Sequence, residues 1–396
     1  MAATSLLELT ADATLPEDGF AGTLLGRAWN PAAGGPSPVA VRAGGVVDVS
    51  HRFATVADLA ETADPASALA ETDGERLGDL GELLANTVAH PGDPARARLL
   101  APVDVQPVKA AGVTFVISML ERLIEERALG DPGAAADIRR EIGELVGSDF
   151  SRLRPGSAEA AELKRLLVER GEWSQYLEVG IGPDAEIFTK ALPLSSLGTG
   201  SSAGVLRTSE WNNPEPEIAL LVSSAGRIVG ATLGDDVNLR DYEGRSALLL
   251  PKAKDNNASC VLGPFVRLFD GTFGLDDVRT TTVTLEVTGR DGFTLTGSSA
   301  HSEISRDPAD LVAQLIGPQH QYPDGVVLML GTMFAPVADR DEPGGGFTHR
   351  EGDLVRISAP QLGTLTHEVR FCDDCPPWTY GVTALMRNLA ARGLLT

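Results

Sequence analysis

Cysteine is scarce: three residues in a chain of 396, too few for a disulfide framework. Cys372 and Cys375 form a Cys-x-x-Cys, but no second pair stands at zinc-site spacing. Pro376 and Pro377 follow where a redox motif would open a helix. Long apolar runs are missing as well, and none reaches membrane-spanning length. The opening Met-Ala-Ala-Thr-Ser-Leu-Leu-Glu-Leu lacks the basic start and long apolar core of a signal peptide, so the expectation is a cytoplasmic protein without a membrane partner. Basic residues are outnumbered, 33 Lys and Arg against 55 Asp and Glu, for a net charge of −22. With no basic stripe to offset phosphate repulsion, a nucleic-acid partner is not expected. Ser195–Gly204 is rich in Gly and Ser, yet it has neither Gly-Lys-(Ser/Thr) nor a strand-Gly-x-Gly-x-x-Gly-helix order, so no nucleotide cofactor is expected.

What is present reads as an ordinary globular composition, 43% hydrophobic and 22% charged. The length favours two folding units. Residues 1–105 form the first, a small α/β domain with strands expected at Gly22–Trp29, Pro38–Val41 and Gly45–Val49, then a helical stretch from Val56 to Asn86. The second, residues 106–396, begins with a helical insertion at about 115–171. Its first helix, Phe115–Leu129, turns Phe115, Met119, Leu120, Leu123 and Ile124 inward and Glu121, Arg122, Glu125, Glu126 and Arg127 outward. A second is expected at Ala134–Val146, and a third from an N-cap at Ser157 to Arg170, closed by Gly171. Such a charged, amphipathic layer suits a lid or a dimer-facing surface. A helix at Gly381–Arg392 closes the chain.

The densest signal lies between Pro214 and Pro264. Pro214-Glu-Pro-Glu-Ile-Ala-Leu-Leu-Val and Ile228-Val-Gly-Ala-Thr-Leu-Gly-Asp-Asp flank a Ser-Ser-Ala-Gly-Arg turn, which predicts a hairpin. Glu215 and Glu217, two apart, leave the same face of a strand. Folding about Ala225 sets Glu215 opposite residue 235 and brings Asp236 beside the glutamates. Three carboxylates in one small volume repel unless a cation sits among them. All-oxygen ligation favours Mg²⁺, Mn²⁺ or Ca²⁺ over zinc. Spacing alone equally describes the solvated face of a half-exposed strand.

The full string resembles the fumarylacetoacetate hydrolase superfamily, in which Pro-Glu-x-Glu and a following Gly-x-Asp-(Val/Met)-(Ser/Asn)-x-Arg-Asp supply three metal ligands. Here those positions are Glu215, Glu217 and Asp236, with Arg240 and Asp241 after them. Arg240-Asp-Tyr-Glu-Gly and Leu250-Pro-Lys-Ala-Lys254 resemble the 2-keto-3-deoxy sugar acid dehydratase branch, which places its active-site lysine at the position of Lys254. Ala185-Glu186-Ile-Phe matches the same branch at an acidic residue. Gly331-Thr332 stands where the family has a Gly-Thr that holds the substrate carboxylate. Ser299 and His301 lie in the Ser-rich stretch that the branch also has, and are candidates for substrate contact.

The resemblance implies an α+β, mainly β fold: a mixed β-sandwich roll as catalytic domain, with the helical insertion and the small N-terminal domain attached. It implies an Mg²⁺-dependent hydro-lyase, a homodimer acting on a small 2-oxo acid through a metal-stabilised enolate. Glu186 and Lys254 would share acid and base roles, and Arg240 and Thr332 would bind substrate oxygens. The pKa of Lys254 is expected to fall beside a cation. The substrate class is a 2-keto-3-deoxypentonate giving 2,5-dioxopentanoate. The alternatives are a carbon–carbon hydrolase of an acylpyruvate and a non-catalytic keto-acid binding protein. Hydrolases of the family use a His/Glu pair near the start of the domain, and Gly112-Val-Thr-Phe-Val-Ile-Ser-Met-Leu has no histidine.

Overall fold

Alternating apolar residues and turns marked by glycine or proline cut the chain into short strands. The computed structural model describes residues 7–129, 131, 133–135, 138, 153–171, 173–334, 336, 338–341 and 346–395. The first strands are β1 (Leu24–Asn30), β2 (Gly35–Arg42), β3 (Gly45–Asp48), β4 (Glu75–Gly78), β5 (Arg98–Leu100), β6 (Val108–Gly112) and β7 (Glu186–Ala191). There follow β8 (Ser202–Val205), β9 (Asn212–Asn213), β10 (Pro216–Val222), β11 (Ile228–Asp236), β12 (Asn238–Leu239) and β13 (Cys260–Leu268). The last are β14 (Thr282–Thr288), β15 (Thr294–Ala300), β16 (Val326–Met329), β17 (Leu354–Ala359) and β18 (Gly363–Phe371).

Two sheets carry the architecture among the described residues. One has eleven strands in the order β4, β3, β2, β1, β13, β11, β10, β16, β6, β7, with β5 added to β1. The other has five, in the order β15, β14, β17, β18, β8. Both mix antiparallel ladders with one parallel pair, β16 with β6 and β18 with β8. This is the expected fold, α+β and mainly β, with the sheets packed face to face.

Period-two alternation explains the packing. Ile218, Leu220 and Val222 of β10 form one core with Val283, Leu285 and Val287 of β14 and Val355 and Ile357 of β17. Ala219 and Leu221 point the other way, into a second core with Val266, Val327 and Met329, closed by Leu59 and Leu69 of two short helices, Val56–Ala60 and Pro65–Ala70. Each large apolar side chain so buried contributes about 1.5–3 kcal/mol. A strand buried on both faces can hold charged residues only where they are paired or ligated.

Strands β1 to β5, from the first 105 residues, belong to the larger sheet: β1 pairs with β13, Leu24 opposite Arg267 and Leu25 opposite Val266. The expected helix from Val56 to Asn86 is instead three helices and a strand, Val56–Ala60, Pro65–Ala70, β4 and Leu80–Ala89. Gly74 lets the chain press against β3 at the entrance to β4, since a Cβ there would lie 1.9 Å from the Asp48 carbonyl oxygen. The third insertion helix runs Ala158–Arg170 with the Ser157 hydroxyl accepting from the Ala160 N–H and Gly171 left-handed at φ 70°, as expected. The helix expected at Ala134–Val146 lies largely outside the described residues. No described helix is long and apolar enough to cross a membrane.

Candidate functional site

The hairpin forms with its register shifted by one from the symmetric expectation. A β-bulge between Leu221 and Val222 takes up the extra residue, so Pro216 faces Asp235 and Glu217 faces Gly234. Glu215 therefore meets Asp236 directly, and the Asp236 N–H donates to its carbonyl at 3.1 Å. Ligand oxygens of Glu215, Glu217 and Asp236 lie within 4.8 Å of one another, and all three residues are buried.

Neighbouring Asp235 takes a different part because alternate residues leave opposite faces. One of its oxygens accepts the Glu215 N–H at 2.9 Å; the other lies 2.8 Å from His367 Nε2 on β18. It is an inter-sheet strut that fixes the backbone of a proposed metal ligand, a role that the sequence reading did not assign.

Lysines close the triad from two sides. Lys254, at the end of the helix Leu250–Lys254, pairs with Glu215 Oε2 and sits 2.9 Å from Asp236 Oδ2. Lys190 of β7 lies 2.7 Å from Asp236 Oδ1 and donates to the carbonyls of Val237 at 2.9 Å and Lys254 at 2.8 Å. Burial would push the Lys254 ammonium down, but Asp236, Glu215 and Glu243 overcome it and hold its pKa above the ordinary range. Asp236 is held below the usual carboxylate range, because Lys190 and Lys254 outweigh its burial. Glu217 is driven well above that range by burial and by Asp236 and Glu215, against the Gly331 N–H that it accepts at 2.7 Å.

The helix Val116–Arg127 corrects the outward reading of its charges. Glu125 is 1% exposed and Glu121 8%, and both belong to the cavity wall. Arg122 Nη2 reaches Glu215 Oε1 at 2.5 Å, and its Nη1 lies 2.7 Å from Glu125 and 2.8 Å from Glu243. In return Arg240 is gripped by Glu125 at 2.6 Å and Glu121 at 3.2 Å, with its guanidinium over Trp211. An inward charged stripe and an outward one have the same 3.6-residue period. The missed signal was three charged residues of mixed sign on one helical face, facing another charged segment at Arg240.

One cavity gathers Glu215, Glu217, Asp236, Lys254, Arg240, Gly331 and Thr332, all expected from sequence. Carboxylates outnumber cations along its wall: Glu121, Glu125, Glu215, Glu217, Asp236 and Glu243 against Arg122, Arg240 and Lys254. An all-oxygen donor set with surplus negative charge and a carboxylate forced upward in pKa fits a hard divalent cation.

Glu186 is adjacent. It lies opposite Gly112 in the β6–β7 ladder, where a Cβ on Gly112 would come within 2.1 Å of its Oε2. Burial raises its pKa, opposed by Arg122 and Lys254. Ser299 and His301 do not line the cavity. The Ser299 hydroxyl accepts the Met333 N–H at 3.1 Å and so braces the turn after Thr332. His301 is fully buried edge-on to Phe115, and burial pushes its pKa down to about 4. The Cys-x-x-Cys holds free thiols, raised to about 12 at Cys372 and about 11 at Cys375 by burial.

Residues 215–370 match the family model for the fumarylacetoacetate (FAA) hydrolase C-terminal domain. Two curated relatives are each 32% identical to this chain. One is the 2-dehydro-3-deoxy-D-arabinonate dehydratase of Saccharolobus solfataricus, over 47% of this chain and 58% of the relative. The other is a probable 2-keto-3-deoxyxylonate dehydratase of Haloferax volcanii, over 49% and 63%. The match thus spans less than two thirds of either relative. A solved 2-keto-3-deoxy-D-arabinonate dehydratase complexed with magnesium and 2,5-dioxopentanoate has a TM-score of 0.61 at 23% identity, over 88% of this chain and 99% of that one, a likeness of fold.

Proposed function

We propose, from the match of residues 215–370 to the FAA hydrolase C-terminal family, that the chain is a divalent-metal-dependent dehydratase of a 2-keto-3-deoxy sugar acid, a 2-keto-3-deoxypentonate yielding 2,5-dioxopentanoate. The observation that carries this reading is the convergence of Glu215, Glu217 and Asp236 with Lys254 in one buried cavity. The names of the relatives, sugar-acid dehydratases, support the substrate class. Mg²⁺ held by the triad supplies, when bound, positive charge that polarises a 2-oxo acid and acidifies the hydrogen at carbon three.

The protein's own groups do the rest. Lys254 holds a proton at Nζ within the cavity, and Glu186, whose pKa burial raises, shares the proton transfers with it. The substrate loses a proton from carbon three and hydroxide from carbon four, which leave as one water. The resulting 5-hydroxy-3-enoate tautomerises: carbon five and its hydroxyl each give up a proton while carbons three and four each gain one, which makes the aldehyde of 2,5-dioxopentanoate. Thr332 Oγ1 accepts the Phe334 N–H at 3.1 Å, which directs its own proton toward a substrate carboxylate. Arg240 adds positive charge to the same wall, and burial excludes water that would weaken these contacts. Assembly as a homodimer in the cytoplasm belongs to the same proposal.

A carbon–carbon hydrolase has less support, since no described residue lining the cavity is a histidine. Mass spectrometry after incubation with Mg²⁺ decides between them. Loss of one water from a 2-keto-3-deoxypentonate is expected. Inertness toward that substrate, with an acylpyruvate split into two acids, replaces the dehydratase by the hydrolase.

A further inference from the structure

Both oxygens of Glu215 are already held by cations of the protein, Oε1 by Arg122 and Oε2 by Lys254. A divalent ion that coordinates Glu215 therefore sits against Arg122 or Lys254 at an oxygen that one of them already holds, and the like charges repel. The two differ in their mounting. Lys254 is fully buried and engages Asp236 as well, beside the strands. Arg122 rides on the helix Val116–Arg127, whose polar side bears on the rest of the molecule largely through charge: Arg122 to Glu215 and Glu243, and Glu121 and Glu125 to Arg240. The backbone leading into that helix is strained, with Val113 at φ 56° and Leu129 at φ 54° just past its end. A β-branched residue in that region is costly and persists only where its surroundings hold it.

We propose that Arg122 is a latch, a built-in counter-charge that fastens the helix Val116–Arg127 over the carboxylate triad and is expelled from Glu215 when a divalent cation binds. The inference rests on the metal site proposed above. Linkage requires the coupling to run both ways: the cation loosens the helix, and a loosened helix binds the cation more tightly.

The test uses the full chain and two measurements. In the first, Mg²⁺ and Mn²⁺ are titrated calorimetrically into wild type and Arg122→Met. The variant should bind about tenfold more tightly, the equivalent of losing one competing charged hydrogen bond. In the second, amide exchange of wild type is followed with and without Mg²⁺. The amides of 116–127 should lose protection when Mg²⁺ is added, a response that a purely long-range charge effect of Arg122 does not produce. Unchanged or weaker Mg²⁺ binding by the variant overturns the latch and leaves the metal site standing. Increased or unchanged protection of the helix overturns it too, and this second result needs no variant to fold. If wild type binds neither ion, the latch and the metal reading fall together.

Discussion

Lys190→Met removes one ammonium from the support of the triad while keeping an unbranched apolar stem in the same space. The side chain is completely buried, and its Nζ serves Asp236 Oδ1 at 2.7 Å and the carbonyls of Val237 and Lys254. The Lys254 carbonyl keeps a donor in the variant, because the Ser259 hydroxyl also reaches it at 2.7 Å. The Val237 carbonyl loses its side-chain donor, at about 1 kcal/mol. The dominant loss is one of the two ammonium partners of Asp236, Lys254 remaining at 2.9 Å, and a hydrogen bond to a charged group is worth about 1.5–3 kcal/mol. Against a typical stability of about 5–15 kcal/mol, this is severe but survivable. Urea denaturation followed by far-ultraviolet circular dichroism should show the midpoint falling at unchanged slope. Saturating Mg²⁺ should restore part of the loss, since a cation at the triad gives Asp236 a new counter-charge. Ligand at one hundred times its dissociation constant stabilises by about 2.7 kcal/mol. A destabilisation below about 1 kcal/mol without Mg²⁺ would show that the Lys190 pair makes little net contribution and that Lys254 alone suffices for Asp236.

Three further outcomes follow from the geometry. Lys254→Ala should lower turnover by about 10²–10⁴-fold, as loss of a proton-transferring group does, while calorimetry shows Mg²⁺ still bound; loss of Mg²⁺ binding would make Lys254 a structural support. Gly112→Ala puts a methyl group against Glu186 Oε2, so turnover should fall at least tenfold for a stability cost of about 1–3 kcal/mol; normal turnover would remove Glu186 from the chemistry. His301 is held at about 4 by burial against an ordinary 6.5. The unfolded chain therefore binds a proton between those values that the folded one refuses, and stability falls as pH drops from about 6.5 toward 4, by up to about 3 kcal/mol. His301→Phe should flatten that slope in urea melts run from pH 7 to pH 4, and an unaltered slope would assign it to other groups.

Legibility in the sequence followed the range of the physics. The hairpin and the meeting of its three carboxylates were readable because period two and a five-residue turn are local facts, and the one-residue error came from a bulge that no local pattern announces. Arg240, Gly331 and Thr332 could be gathered only through the resemblance, since they approach the triad from distant parts of the chain. Glu121, Arg122 and Glu125 were misread as solvent-facing because helical periodicity says which residues share a face and not what that face meets. Asp235 and His367, 132 residues apart, have no signature short of the folded sheets. The helical stretch at 56–86 failed at Gly74, where close backbone approach to Asp48 of β3 outweighed a favourable composition, and at Gly78, which pairs with Val46 of β3 at φ 154°.

The order of the larger sheet divides the site between its middle and its edge. Glu215, Glu217 and Asp236 stand on or beside β10 and β11, each laddered on both sides, whereas Glu186 and Lys190 stand on β7, which among the described residues is laddered to β6 alone. The three carboxylates proposed to hold the ion thus belong to the middle of the sheet, and the carboxylate proposed to move a proton belongs to its last strand. Lys190, reaching from that edge strand to Asp236, is a cross-tie between the two.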